Sequence, residues 1–276
     1  MNARRGTAPR TAGSDGAHRV TRAVILAAGR GSRLAPLTDR VPKPLVPVSG
    51  TPMITTILDA LHAAGISSIT LVRGYRGEAF NALRETYPQI TFLDNPDWET
   101  SNNISSIALA GRAGLLEDSY VIEGDLYVAN PAVITPTQTR TNYIAFPVEQ
   151  TDDWCFDTDA SGKITHIDTA SDHPCHQMLG LSYWTAADGA RLASCANALY
   201  ADEQYRQLYW DEIALKYYLP EFSIHIRECA REDVWEIDTV EELRELEERM
   251  RRNSASPAHA VPLPRRDGGG FRITMG

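Results

Sequence analysis

Hydrophobic and polar positions alternate between strand-like and helix-like periods along the first half of the chain. Residues 23–28 form an unbroken apolar run, as expected of a strand buried on both faces. Residues 53–64 place Ile54, Ile57, Leu58 and Leu61 at helical spacing and stop at Gly65, a residue suited to ending a helix. The pattern then predicts a strand at 68–72, a helix at 78–87, a short strand at 90–93 and a helix at 103–113. A strand at 120–122 follows, running into Glu123-Gly-Asp125. Strands separated by helices of this length imply right-handed βαβ units and a mainly parallel sheet. After residue 142 the texture changes. Residues 143–148, 163–167 and 178–183 are strand-like, with turn residues such as Asp159-Ala-Ser-Gly162 between them. Helices are expected at 186–199 and 203–218, then a strand at 223–228. A last helix is opened by Thr239-Val-Glu-Glu242, which fits a capping box. The expected fold class is α/β: a mainly parallel, Rossmann-like mixed sheet flanked by helices, with a small β-rich region in the second half. No internal repeat is visible, and one domain is expected over residues 22–250, with 1–21 and 251–276 as flexible basic tails.

With 276 residues, 43% of them hydrophobic, the chain can bury one substantial core. It has no run approaching the ~20 apolar residues that span a bilayer, and no apolar run follows Arg4-Arg5, so no export leader is expected. The four cysteines (Cys155, Cys175, Cys195, Cys229) lack Cys-x-x-Cys spacing, which fits a reducing cytoplasm and argues against a zinc ribbon. His173-Pro-Cys-His176 reads as a polar loop. The net charge of −9 conceals an asymmetry: residues 1–22 carry +4 and residues 249–276 carry +5, leaving −18 on residues 23–248. So acidic a body is a poor nucleic-acid binder. It suits a polyanionic substrate that arrives with Mg²⁺.

The candidate chemistry sits where the first strand ends. Gly29-Arg-Gly-Ser-Arg33 is a turn whose backbone N–H groups can close on phosphate oxygens, and Lys43 follows between Pro42 and Pro44. The chain has only three lysines (Lys43, Lys163, Lys216) against 24 arginines, so a compact ammonium in this position is an exception to the background. We expect Lys43 to stand exposed in a cleft. Leu34 occupies the third glycine position of a dinucleotide fingerprint, and no Gly-Lys-Ser/Thr occurs. A nucleoside triphosphate is therefore the better ligand, and a purely structural turn is the alternative. Open parallel sheets bind ligands at the carboxyl ends of their strands, which makes Asp125 a candidate Mg²⁺ ligand.

Leu26-Ala-Ala-Gly-Arg-Gly-Ser-Arg-Leu34, Pro42-Lys-Pro-Leu45, Gly50-Thr-Pro-Met53 and Gly124-Asp125 resemble the nucleotidyltransferases with a sugar-phosphate nucleotidyltransferase fold. Asn95-Pro-Asp-Trp-Glu-Thr-Ser-Asn-Asn-Ile104, Gly180-Leu-Ser-Tyr-Trp184, Leu208-Tyr-Trp-Asp-Glu212 and Val234–Glu242 make the chain similar, more narrowly, to the bacterial CTP:phosphocholine cytidylyltransferases. The resemblance spans residues 22–248. It implies in-line attack of an acceptor phosphate on the α-phosphorus of CTP, with Mg²⁺ as cofactor and pyrophosphate leaving. Arg33 and Lys43 would hold the triphosphate, as the catalytic cations. Leu26, Ala27, Ala28, Gly29, Arg30, Gly31, Ser32, Asn102 and Gly124 would complete the nucleotide site. Asp125 and Asp211 would share the metal. Asp238 is the reserve ligand, although it is expected to cap the last helix beside Thr239. An acceptor-binding region at about 140–220 would use Trp154, Asp153, Glu149, Tyr183 and Tyr209. Phosphocholine is the acceptor the resemblance implies, and a small phosphonate such as 2-aminoethylphosphonate or a hydroxyalkylphosphonate is the alternative. A sugar-1-phosphate nucleotidyltransferase and a non-catalytic nucleotide-binding regulatory module are the other readings. The expected partners are CTP and the small acceptor, in a cytoplasmic protein without nucleic acid or membrane insertion; a homodimer is left open.

Overall fold

The structure, a computed structural model, describes residues 16–255, so the tail expectations over 1–15 and 256–276 lie outside the described residues. Nine strands form the central sheet: β1 (Arg22–Ala27), β2 (Ser68–Arg73), β3 (Ile90–Asp94), β4 (Ser119–Glu123), β5 (Asn142–Val148), β6 (Cys155–Thr158), β7 (Ile164–Asp168), β8 (Cys175–Trp184) and β9 (His225–Glu228). β4, β1, β2 and β3 lie side by side in that order and run parallel. β8 is antiparallel to β4 and is shared between two halves of the sheet. Its residues 181–184 pair with β4, whereas Gln177 and His176 pair with Cys155 and Phe156 of β6. Its other edge carries β5, which β9 joins in parallel, and β7 closes a hairpin with β6. The mainly parallel sheet and the β-rich second half are as the sequence pattern implies.

Helices α1 (Met53–Ala63), α2 (Ile104–Arg112) and α3 (Ala186–Tyr200) cover the two faces. Alternation along β1 decides which residue meets which helix. Ala23, Ile25 and Ala27 pack with Ile54, Ile57, Leu58 and Leu61 of α1. Val24 and Leu26 pack with Ile104 and Ile107 of α2 and Leu192 of α3. In α1 the β-branched Ile54, Thr55, Thr56 and Ile57 are mediocre helix formers, each worse than alanine by a few tenths of a kcal/mol. Burying each aliphatic side chain is worth about 2 kcal/mol, so packing wins. A third cluster brings Leu34, Val46, Val48 and Met53 against Ile237, Leu243 and Leu246. It docks the final helix α4 (Val240–Ala255) beside the glycine turn although about 200 residues of chain separate them. Among the described residues no helix is long and apolar enough to cross a membrane.

Several elements differ from the sequence pattern. Residues 203–218 are not one helix: a 3₁₀ turn (Glu203–Tyr205) is followed by a helical turn at Trp210–Glu212 and a π-helical turn at Ile213–Tyr217. The Trp210 backbone N–H donates to Asn103 Oδ1 (2.8 Å) and its indole N–H to Glu123 Oε1 (3.1 Å). These tertiary bonds draw the segment inward and interrupt the helix. His18–Arg19 pairs with Thr137–Gln138, and Val20 is fully buried, so the core claims residues expected to belong to the tail. At the other end, α4 continues through residues 251–255. An antiparallel ribbon of Leu126–Val128 with Val234–Glu236 has no counterpart in the predicted elements, because three-residue strands carry too little periodicity to be read.

Candidate active site

Three chain segments converge at the carboxyl ends of β1 and β4. β1 empties into the glycine turn, β4 into Gly124-Asp125, and the ribbon strand at Val234–Glu236 leads to Asp238. Gly31 takes φ +66, and a Cβ built there would stand 2.7 Å from Lys43 Cβ and 2.8 Å from its Cδ. The turn is thus the seat on which Lys43 lies. Lys43 is buried, only 7% exposed, which corrects the expectation of an exposed cleft lysine. Its Nζ donates to Asp125 Oδ2 at 2.6 Å and also to Asp238 Oδ1. Arg33, well exposed, pairs with the other oxygen of Asp238 at 2.8 Å. Burial pulls the Lys43 ammonium toward the neutral form, but the charges of Asp125 and Asp238 outweigh it and hold the pKa above its ordinary value. Replacing Gly31 by alanine should cost about 1–2 kcal/mol for the left-handed backbone and lower kcat/KM about tenfold by displacing the lysine. Urea denaturation and steady-state kinetics measure the two effects; unchanged kinetics would mean that the seat tolerates displacement.

Glu236 joins Asp125 and Asp238, and one carboxylate oxygen from each lies within 4.8 Å of the others. Asp125 Oδ1 is buried and has no hydrogen-bond partner. Burial, with the charges of Asp125 and Asp238, pushes the Glu236 carboxyl well above its ordinary value. Three crowded carboxylates with an orphaned oxygen are a donor set suited to a hard divalent cation, so these residues fit Mg²⁺.

The cleft they border encloses about 380 Å³. One wall is made by Leu26, Ala27, Ala28, Gly29 and Gly31, with Arg33 and Lys43 at its end. A second holds Asn95, Trp98, Ser101, Asn102, Asn103, Ser105 and Ser106, and a third holds Asp153, Trp154, Met178 and Tyr209. Trp154 meets Tyr209 edge to face at 5.8 Å. Asp153 Oδ1 accepts from the Trp154 N–H (2.7 Å) and Oδ2 from Gln177 Nε2 (3.2 Å), so this exposed carboxylate is held in one orientation. At the floor, Glu123 lies over Gly180, where a Cβ would meet Glu123 Oε2 at 2.5 Å. Burial, followed by the charges of Asp211, Asp125 and Glu236, raises the Glu123 carboxyl well above its usual range.

A family model for the MobA-like NTP transferase domain matches residues 23–207. The chain belongs to this family. It is 38% identical over 226 residues to the 2-aminoethylphosphonate cytidylyltransferase of Lancefieldella rimae, covering 81% of this chain and 90% of that one. With the choline-phosphate cytidylyltransferase of Streptococcus pneumoniae it shares 31% over 228 residues, covering 82% and 97%. The solved structure of the CTP:phosphocholine cytidylyltransferase from Streptococcus pneumoniae matches with a TM-score of 0.78 over 84% of this chain and 100% of that one. The chain is thus a nucleotidyltransferase of the cytidylyltransferase family, which closes the regulatory-module reading.

In this MobA-like NTP transferase several predicted site residues fall elsewhere. Asp211 lines the cleft but stands outside the carboxylate cluster. It is buried, accepts from the Tyr143 hydroxyl (2.9 Å), and burial pushes its carboxyl up to about 7 against the pull of that bond. Asp238 does not cap α4. Thr239 Oγ1 accepts from the Glu242 N–H (3.2 Å) and Glu242 Oε2 from the Thr239 N–H (2.7 Å), which frees the Asp238 side chain for Lys43 and Arg33. Tyr183 is fully buried away from the cleft, its hydroxyl donating to Asp118 (3.1 Å), because its place on β8 points it into the α1-side core. Glu149 borders a separate cavity with Phe156 and His176. Arg30 pairs with Asp39 (3.3 Å), and neither it nor Ser32 lines the cleft. Gly124 packs behind it, a built Cβ falling 2.9 Å from the Leu26 carbonyl.

Glu236 escaped the sequence reading. Its signal was available: Glu236 and Asp238 stand two apart at a strand end, where alternate side chains share a face.

Proposed function

We propose that the chain transfers CMP from CTP to a small phosphonate bearing a primary ammonium, of the 2-aminoethylphosphonate class, with Mg²⁺ held by Asp125, Glu236 and Asp238. The observation that carries the acceptor is the third wall of the cleft, where a single edge-to-face aromatic pair stands beside the oriented Asp153 carboxylate. A trimethylammonium group donates no hydrogen bonds and is best served by several aromatic faces. A primary ammonium has three donors, and each bond to a carboxylate is worth about 1.5–3 kcal/mol. The 38% identity to an enzyme named for 2-aminoethylphosphonate supports the same choice.

The chemistry needs no covalent enzyme intermediate. A phosphonate oxygen forms a bond to the α-phosphorus of CTP while the bond from that phosphorus to the bridging oxygen breaks, and pyrophosphate departs with the electron pair. Lys43 supplies fixed positive charge at the reacting phosphate, and Arg33 receives the outer phosphates from the exposed side. The N–H groups of the glycine turn orient the chain of phosphates. When bound, the divalent cation supplies further charge neutralisation on the phosphate oxygens.

Pyrophosphate release with 2-aminoethylphosphonate, phosphoethanolamine and phosphocholine tests the acceptor. We expect 2-aminoethylphosphonate to exceed phosphocholine at least about tenfold in kcat/KM, and Asp153→Asn to raise its KM about tenfold, the loss of one charge-assisted bond, with the KM for CTP unchanged. The opposite ranking, with Trp154→Ala costing phosphocholine about thirtyfold through a lost cation–π contact, would replace the phosphonate by phosphocholine.

A further inference from the structure

With phosphates assigned to Arg33 and Lys43 and the acceptor to the Asp153–Trp154 wall, the Asn95–Ser106 wall is left for the base. Several of its polar side chains are almost fully buried: Asn95 is 3% exposed, Ser101 9% and Ser106 2%.

Tyr200 Oη donates to Asp97 Oδ2 at 2.6 Å, because a carboxylate only accepts. Burial and that bond raise the phenol above its ordinary value, so it keeps its proton. Ser101 Oγ lies 3.3 Å from the Tyr200 oxygen. The single phenolic proton is already spent, so Ser101 must be the donor. Toward the cleft, Ser101 can then offer only lone pairs.

Asn95 is fixed the other way. Its Oδ1 accepts from the Asp97 N–H (2.9 Å), which settles the amide orientation. Its Nδ2 donates to Ser105 Oγ (2.9 Å) and Ser106 Oγ (3.1 Å). Ser105 passes its own proton to the Asn102 carbonyl (2.8 Å). The Ser106 hydroxyl accepts from Asn95, and its proton has no acceptor among the described residues. Ser106 is therefore a donor to whatever enters.

We infer that Ser101 and Ser106 read the pyrimidine edge as an acceptor and a donor, and that the Asp97–Tyr200 relay makes this pair select cytosine over uracil. Cytosine offers a 4-amino donor beside N3 and 2-carbonyl acceptors. Uracil presents a 4-carbonyl and an N3–H, so its 4-carbonyl would face the lone pairs of Ser101 and leave both unpaired. Tyr200 is a positioning residue here. The guanidinium groups of Arg206 and Arg112 lie over its ring, 5.5 and 5.9 Å from its centroid.

This inference rests on the assignment of CTP as the nucleotide, and binding measured without any acceptor keeps it independent of the acceptor's identity. Titration calorimetry with CTP and with UTP, in Mg²⁺, should show wild type favouring CTP at least about tenfold, the scale of one buried polar group left unpaired. Tyr200→Phe frees the Ser101 proton to donate to a 4-carbonyl, so UTP should tighten and the ratio fall to within about threefold. Ser101→Ala should weaken CTP about tenfold and leave UTP unchanged, and Ser106→Thr should retain the CTP affinity that Ser106→Ala loses. Equal weakening of both nucleotides by Tyr200→Phe and Ser101→Ala, or an unchanged ratio in folded variants, overturns the inference while CTP remains the substrate. A wild type without preference for CTP overturns both.

Discussion

Replacing Lys43 with alanine should lower kcat/KM at least about a hundredfold, the scale expected when a preorganised group is lost from the reacting centre where the proposed mechanism puts its ammonium. The same change weakens the folded protein, because Lys43 is buried and bonded to both Asp125 and Asp238. Removing one member of a buried ionic group leaves the others uncompensated, at a cost on the order of 3 kcal/mol. The loss should appear as a lowered Tm in EDTA and be partly recovered by Mg²⁺, since a cation bound to the native carboxylates alone shifts the folding equilibrium by mass action. Near-wild-type turnover would remove Lys43 from the mechanism. A Tm unchanged in EDTA would show that the carboxylates relax apart when the ammonium leaves.

The second large effect belongs to the proposed metal ligands. Asp125→Asn and Asp238→Asn should each reduce Mg²⁺-dependent turnover about a thousandfold, near the upper end for a single electrostatic group. The double variant should be little worse, since on the proposed assignment both would serve one centre. Asp211→Asn should stay within about tenfold, because Asp211 bonds the Tyr143 hydroxyl and stands outside the carboxylate cluster. Rates measured across a Mg²⁺ titration, with Mn²⁺ binding followed by electron paramagnetic resonance, separate lost metal from lost fold. An active Asp238→Asn beside a dead Asp211→Asn would return Asp211 to the metal.

The contrast between these aspartates shows what the chain made legible. Buried parallel strands announce themselves as apolar runs, and the Thr239–Glu242 capping box stands as its spacing implies. Lys43 and Asp125 meet because both follow strand ends on one rim of the sheet, which topology alone predicts. Asp238 was harder to place. A position beside an N-cap favours a local capping role, and only the docking of α4 onto Leu34 and Met53 brings its side chain to Lys43. Tyr183 illustrates the reverse error. An aromatic in a strand follows the alternation of its neighbours, and that phase points it into the core. Residues 203–218 have helical composition, yet Asn103 and Glu123, each over 80 residues away in sequence, interrupt the helix through hydrogen bonds to Trp210. Local periodicity carries no trace of such bonds.

β8 has one further consequence. Its last four residues are laddered to β4, which runs into Gly124-Asp125, while Gln177, in its first half, is paired with β6 and steadies Asp153. In the proposed reading a single strand therefore joins the phosphate site at one end to the acceptor wall at the other, with Gly180 opposite Glu123 between them. Remodelling residues 149–177 to admit a different head group leaves the β4 ladder and the carboxylate cluster untouched. On the proposed assignment, a new acceptor specificity could then be grafted at one end of the strand without rebuilding the catalytic end.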